Sequence, residues 1–551
     1  MGNSRTICGN RSLRRWLTAA QIQQAVDRPR QSVQPLDRPP ADLPLSEWGR
    51  RFLPHYFRCE SSLFHRALDR DLDGLHLRRG SRIARIAPRE SAKSTWVTLA
   101  YLLRCSVEGW EPYSLILSDT ARQAGKLLRD VRHEIETNAA IREAYPESAG
   151  VGPKWAETAI QLRNGVTIEC LGAGNKIRGN RAGASRPSLM ILDDLQSNDD
   201  IQSAILRERT YDWVTREVIP AGSESTNFIS IGTALHRECV AVKLLTAPNW
   251  RGQVFQAVLD WPERMDLWQE WERRLTNLAN EFRQEDAEAF YPANQAEMLR
   301  GSRVLWEAYK PLKSLMSKRA EIGPSAFDTE FQGNPKSSVG AEWPAEYFER
   351  PGMYFDEWPE LVVKASALDP SKGKTDKPGD WQAHVWGGVD RAGILHVDAE
   401  FRREPVAEMV ARSIQRCREL QNLGGRAATS ALVVETNIFG ELLSAEFDRQ
   451  AKETIGGLLP LRPVEHYEPK TVRIRKTDAP LSRSQIRVKN TLGGRELVSQ
   501  WRDFPTGSHD DGPDAFAMWL DEIRRLTAGP SVATGTSKQS LLGYDPRKRS
   551  Y

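Results

Sequence analysis

The sequence predicts an α/β protein of two domains in tandem, and three observations carry that prediction. Short apolar runs alternate with helical periodicities from residue 83 to about residue 259, the pattern of a parallel sheet covered by helices. After Pro344 three strand-like runs follow one another directly before helix and strand alternate again, which is the order of an RNase H-like domain. The length of 551 residues exceeds what one hydrophobic core usually supports.

In chain order, residues 1–40 are rich in Arg, Gln and Pro and are expected to be a flexible arm. The first domain is expected over 41–260. Its strands are Arg82 to Ala87, Tyr113 to Ser118, Leu189 to Leu192, Asn227 to Ile231 and Val254 to Leu259, with helices over Thr120 to Asn138 and Ile201 to Val218. Residues 261–350 hold a Trp-, Glu- and Arg-rich stretch of helical periodicity and are expected to be a helical connector. The second domain, 351–527, begins with Val362 to Leu368, Gln382 to Val389 and Ile394 to Phe401, the last two joined by a turn at Asp390-Arg391-Ala392-Gly393. Helices over Val406 to Leu420 and Phe439 to Lys452 then flank a strand at Ala431 to Glu435. Residues 528–551, with Gly, Ser, Thr and Lys, are expected to be a disordered tail.

Composition narrows the classes. A hydrophobic fraction of 40% and a charged fraction of 27% are those of a soluble globular chain, and no apolar run reaches the ~18 residues that a membrane helix needs. The six cysteines lack any C-x-x-C spacing, which argues against a zinc cluster or disulfide framework and for a reducing compartment, with cytoplasm as the default. Met1 to Thr6 fits the short myristoylation pattern, which has meaning only where the transferase exists. A net charge of +4 is too small to argue for nucleic-acid binding by itself.

The segment Pro88-Arg89-Glu90-Ser91-Ala92-Lys93-Ser94-Thr95 follows a strand and opens an apolar-faced helix, which is the setting of a phosphate-binding loop. Lys93 fits the lysine that neutralises the β- and γ-phosphates, and Ser94 fits the hydroxyl that ligates magnesium. The strict G-x-x-x-x-G-K-[ST] pattern is not met, because Ala87 and Ala92 stand where the glycines would be. Asp193 ends a buried apolar run, the position from which a carboxylate holds magnesium, and Asp194 either polarises the attacking water or caps the next helix. Arg178, Arg181 and Arg186 lie in a loop-like stretch that either supplies an arginine finger or faces solvent or DNA, and Thr233 ends another core strand.

A second constellation is acidic. Asp369 and Glu435 end separate strands, and Asp510, Asp511 and Asp514 begin an amphipathic helix. Carboxylates converging from separate elements are what two-metal phosphodiester hydrolysis requires. Asp511 and Asp514 lie three apart on one helical face, and helix capping is the alternative role for such acids. Asp380 either joins the outer shell of that site or caps a strand. Lys470, Arg473, Arg475, Lys476, Arg483, Arg487 and Lys489 form a partly alternating basic strip, read as a phosphate-gripping hairpin or as a charge-protected edge strand.

Taken in order, these motifs resemble the large subunit of tailed-bacteriophage terminases over residues 45 to 525. The resemblance rests on Pro88 to Ser94, Ile177-Arg178-Gly179 with Arg186-Pro187 and the acidic strand end, Ile231-Gly232-Thr233 with His236, and Phe331 to Pro335. It continues through Asp369-Pro370, Glu435-Thr436-Asn437, and Phe504-Pro505 to Asp514-Ala515. Glu90 stands where the family usually has glycine, and Asp194 where many members have glutamate.

The resemblance implies a RecA-like ATPase domain of the additional-strand kind joined to an RNase H-like nuclease. It implies ATP as fuel and Mg²⁺ as cofactor, with Mn²⁺ able to substitute at the nuclease site. It places Lys93, Ser94 and Asp193 on phosphates and magnesium, Asp194 at the catalytic carboxylate position and Thr233 as the coupling residue, with Arg178 the finger candidate. Asp369, Glu435 and at least one of Asp510 and Asp511 are the expected nuclease ligands. The implied partners are double-stranded DNA, a portal protein, a terminase small subunit and further copies in a ring of five on a procapsid, in the host cytoplasm. Two other readings remain at this stage, a transposase- or resolvase-like nuclease with an accessory ATPase and a decayed prophage DNA-binding protein.

Overall fold

The computed structural model describes residues 38–177, 186–335, 342–370, 381–423, 430–435, 440–455 and 460–528. The expected arm and tail therefore lie almost wholly outside the described residues, as do Arg178, Arg181 and Asp380.

The first sheet has eight strands: β1 (Arg82–Ile86), β2 (Tyr113–Ser118), β3 (Val151–Trp155), β4 (Ala159–Leu162), β5 (Thr167–Gly172), β6 (Leu189–Asp193), β7 (Asn227–Gly232) and β8 (Arg251–Val254). Their order is β3-β4-β5-β2-β6-β7-β1-β8. Strands β2, β6 and β7 are buried along their whole length, as parallel strands covered on both faces must be. Strand β7 pairs in parallel with β1 on one side and with β6 on the other, so one additional strand separates the loop-bearing strand from the carboxylate-bearing strand. The register sets Ile86 beside Gly232 and Ile231 beside Asp193, which brings the carboxyl ends of β1, β6 and β7 to one edge.

Two features of this sheet differ from the sequence expectation. Strands β3 and β4 are antiparallel additions at one edge, where the residues of β3 are mostly exposed and leave no apolar run to detect. The expected strand over Val254 to Leu259 is split. β8 stops at Val254, and β9 (Val258–Asp260) pairs antiparallel with β10 (Arg303–Val304) in the connector.

Helices Met265–Leu275, Arg283–Leu299, Leu312–Ile322 and Pro324–Gln332 make up the connector. Its own core is built on Trp268, Trp271, Phe327 and Phe331. Toward the second sheet, the buried Glu272 carboxylate accepts hydrogen bonds from Arg319 Nη1 and Arg483 Nε, each at 2.7 Å.

The second sheet contains β11 (Tyr354–Phe355), β12 (Val363–Asp369), β13 (Gln382–Val389), β14 (Leu395–Arg402), β15 (Ser430–Glu435), β16 (Leu461–Val464) and β17 (Ile486–Lys489). The order is β11-β17-β14-β13-β12-β15-β16, with β12, β13 and β14 antiparallel and β15 parallel to β12, which is RNase H-like. The helix Asp511–Thr527 lies on β12 and β13, anchored where the Trp519 indole donates to Ala365 O at 2.9 Å. The expected basic hairpin does not form. Lys470–Arg475 and Asp478–Ser482 are helices, and only Ile486–Lys489 is a strand, paired in parallel with β14. Pro469 at the start of the first helix and Pro480 within the second remove backbone donors that a hairpin ladder would use.

Candidate functional site

The loop Ala87 to Ser94 leaves β1 and enters a helix at Thr95 whose first turns, Thr95–Tyr101, are π-type. Within it Glu90 (φ 62°) and Ala92 (φ 59°) take the left-handed conformation. Glycine adopts that region freely, whereas other residues spend about 1–2 kcal/mol to do so. The loop thus has the curl of a phosphate cradle without the glycines that usually permit it.

Neighbours hold that curl. Ser91 Oγ donates to Pro88 O at 2.7 Å. His65 Nε2 donates to Ser91 O at 2.9 Å while its Nδ1 accepts the Ser62 N–H at 3.1 Å. These two bonds set the neutral tautomer, and burial lowers the imidazole pKa to about 4. The ring also stacks on Trp96 with centroids 4.4 Å apart. Arg89 is tied to the connector, its N–H donating to Glu330 O at 2.9 Å and its guanidinium lying 3.1 Å from the Glu330 carboxylate.

The buried Lys93 ammonium donates to Thr233 Oγ1 at 2.9 Å and to the carbonyls of Ala87 and Pro88 at 3.4 Å. Ser94 Oγ donates to Asp193 Oδ1 at 2.9 Å, and Thr98 Oγ1 to Asp193 Oδ2 at 2.5 Å. Burial, reinforced by the adjacent Asp194, pushes the Asp193 carboxyl up to about 7 despite these two hydroxyls. Asp194, turned at φ 43°, is exposed to the cleft and accepts the Thr233 N–H at 3.0 Å. Pro88 lies behind the loop; residues 89–95, Asp193, Asp194 and Thr233 line a cleft of about 470 Å³, large enough for a nucleotide. The sequence signalled Lys93, Ser94 and Asp193 but not Thr98 or His65. Arg186 has its guanidinium engaged with Pro220 O and Gly222 O, at 3.0 and 2.7 Å.

In the second sheet, the ends of β12 and β15 and the first turn of the Asp511–Thr527 helix converge. Asp369, Glu435 and Asp514 each offer an oxygen, and these lie within 4.8 Å of one another. Hard carboxylate oxygens without sulfur or imidazole suit Mg²⁺ or Mn²⁺. Burial raises the Asp369 carboxyl well above its usual range, Lys470 opposing this and Asp514 and Glu435 adding to it. Asp514, 1% exposed, is pushed up to about 6 by burial, against the pull of Arg473 and Lys470.

Asp510 and Asp511 stand outside this trio, around Lys470. The Lys470 ammonium lies 2.8 Å from Asp510 Oδ1, 2.9 Å from Asp511 Oδ1, 3.9 Å from Asp369 and 4.0 Å from Asp514. The other oxygen of Asp511 accepts the Trp381 N–H at 2.9 Å. Arg473 grips Asp514 through Nε (3.0 Å) and Nη2 (2.6 Å), with Nη1 3.5 Å from Glu435. The sequence places Lys470 and Arg473 in a basic strip, on a phosphate-gripping hairpin or an edge strand, whereas the structure sets them on a helix against these acids. Their spacing of three places both on one face of a helical turn, and that spacing was the available signal.

No protein-family model matches the sequence, and no curated protein matches it. Among solved structures, the fold is similar to the large terminase of a thermophilic bacteriophage in complex with ATP-gamma-S, at 10% identity over 81% of this chain and 94% of that one, TM-score 0.38. It is also similar to the HK97 bacteriophage large terminase, at 15% identity over 80% of this chain and 91% of that one, TM-score 0.28. The large terminase nuclease of a second thermophilic phage, with bound magnesium, matches 32% of this chain and 89% of its own, at 15% identity and TM-score 0.23.

Proposed function

We propose that this protein is the large subunit of a viral DNA-packaging terminase, which hydrolyses ATP to move double-stranded DNA into a procapsid and cuts concatemeric DNA in a metal-dependent reaction. The observation that carries the reading is the presence in one chain of a loop-lined cleft at the ends of β1, β6 and β7 and a carboxylate trio from the ends of β12 and β15 and the first turn of the Asp511–Thr527 helix.

In the cleft, Lys93 is the cation for the β- and γ-phosphates, Ser94 and Asp193 would hold Mg²⁺, and Asp194 is placed to orient the water. Thr233 links the lysine to that carboxylate. At the second site Asp369, Glu435 and Asp514 would hold Mg²⁺ or Mn²⁺, which supplies charge stabilisation and an activated water. Asp510, Asp511 and Lys470 orient this trio, and Arg473 fixes Asp514. Portal protein, small subunit and further copies of the chain in a five-membered ring are the partners of this reading.

The test uses the full chain with Mg²⁺ and double-stranded DNA. Lys93→Ala is expected to lose ATP turnover and keep cleavage, and Asp369→Ala to lose cleavage and keep turnover. Equal cleavage by Asp369→Ala and the parent would sink the nuclease assignment, and equal turnover by Lys93→Ala the nucleotide assignment. Joining of defined ends without a procapsid would point instead to a transposase-like enzyme.

A further inference from the structure

Glu90 poses a problem that follows from its position. It lines the cleft in which the proposed ligand carries several negative charges, and its left-handed backbone is one that glycine would fill without adding a charge. A free carboxylate at the mouth of that cleft would repel a triphosphate.

The carboxylate is not free. It is ion-paired with the ammonium of Lys310, 220 residues along the chain in the connector. That pairing lowers the Glu90 pKa, chiefly through the hydrogen bond itself, so the carboxylate stays charged and held. Lys310 is placed by its own turn, its N–H donating to Trp306 O at 2.7 Å, and it is only one-fifth exposed against 44% for Glu90. The same turn packs beneath the loop, where the Trp306 ring stands edge-on to His65 at 4.5 Å and its indole N–H donates to Glu60 O at 2.6 Å. With the Arg89–Glu330 pair, the connector holds two successive residues of the loop by their charges.

We propose that Lys310 is a positioning residue for the nucleotide cleft: it neutralises Glu90 and holds that carboxylate toward the connector, so that affinity for a nucleoside triphosphate depends on a residue outside the loop. This rests on the nucleotide reading above.

The experiment measures the Kd of the full chain for Mg-ATP by titration calorimetry in the parent, Lys310→Met, Lys310→Arg, Glu90→Gly and the double variant Glu90→Gly/Lys310→Met. Lys310→Met is expected to weaken binding roughly tenfold, the scale of one like charge partly screened by water at the cleft mouth. Lys310→Arg keeps the parent affinity, and Glu90→Gly binds at least as tightly as the parent. The decisive expectation is that the double variant binds like Glu90→Gly, because the lysine has no charge left to hold.

Unchanged binding in Lys310→Met, or a weakening that persists in the double variant, overturns the proposal, the latter showing a purely structural loss. A parent that binds no Mg-ATP, or binds it equally after Lys93→Ala, overturns the nucleotide reading itself. The two failures are thereby distinguishable.

Discussion

Ser94 and Asp193, 99 residues apart in sequence, are joined by a hydrogen bond of 2.9 Å from hydroxyl to carboxylate, and this bond fixes the loop at the end of β1 against the end of β6. Losing the hydroxyl leaves Asp193 with Thr98 alone as its hydroxyl donor among the described residues. Ser94→Ala is expected to lower ATP turnover by two orders of magnitude or more while the fold persists. Steady-state turnover beside a circular dichroism melt checks both halves.

His65, which supports the loop from behind through Ser91, predicts a pH dependence of stability. Its folded pKa is lowered to about 4 from the ordinary value of 6.5. Between these values the unfolded chain binds a proton at His65 that the folded chain refuses, so the contribution of His65 to stability is complete above pH 6.5 and declines on acidification. The slope is about 1.4 kcal/mol per pH unit for one proton, ending near pH 4. The difference in stability between the parent and His65→Gln, from denaturant melts at pH 7 to 4, should show this slope, since subtraction removes the opposite contributions of the raised Asp193 and Asp514 carboxyls.

Arg473 neutralises Asp514 and faces Glu435 in a buried setting. Arg473→Ala is expected to destabilise the metal-free chain by about 3–5 kcal/mol, because it strands buried carboxylates. Mn²⁺ should restore much of that loss if the carboxylates bind it, and thermal melts with and without Mn²⁺ give the answer. Recovery of the same size in Asp369→Ala/Arg473→Ala would contradict the shared site.

Trp519 is fully buried and donates to Ala365 O. Trp519→Ala is expected to cost about 3–5 kcal/mol from lost burial and the cavity left behind. Chemical denaturation should show the loss in the transition of the second sheet.

Glu272 lies between Arg319 and Arg483, both within 2.7 Å of its oxygens. Glu272→Ala leaves two guanidinium groups facing each other, and limited proteolysis is expected to cleave faster between the connector and the second sheet. Glu272→Gln, which keeps one acceptor, should fall between the parent and Glu272→Ala.

Much of this architecture was legible because it is written in local patterns. β6 is an unbroken apolar run up to Asp193, β2 and β7 are mostly apolar, Asp369 and Glu435 each end a further mostly apolar run, and the β13–β14 turn is marked by Asp390 and Gly393. What escaped lacks such a pattern. β3 is an exposed edge whose pairing comes from β4, and β10 is two residues long. Three acids in five positions, Asp510, Asp511 and Asp514, are equivalent in sequence. Only the phase of their helix against β12 and β15 decides that Asp514 meets Asp369 and Glu435 while Asp511 turns to Trp381 and Lys470. Lys470 and Arg473 read as surface cations until that same packing gives them buried partners.

Thr233 uses both of its polar groups in opposite directions, its hydroxyl receiving the Lys93 ammonium and its N–H meeting the Asp194 carboxylate. The residue therefore ties the loop lysine and the cleft carboxylate to one point just past β7. The lysine holds the side chain and the carboxylate holds the backbone, so rotation of the hydroxyl alone leaves the Asp194 bond in place. A shift of Lys93 therefore reaches the Asp194 carboxylate only if the backbone just past β7 shifts with it.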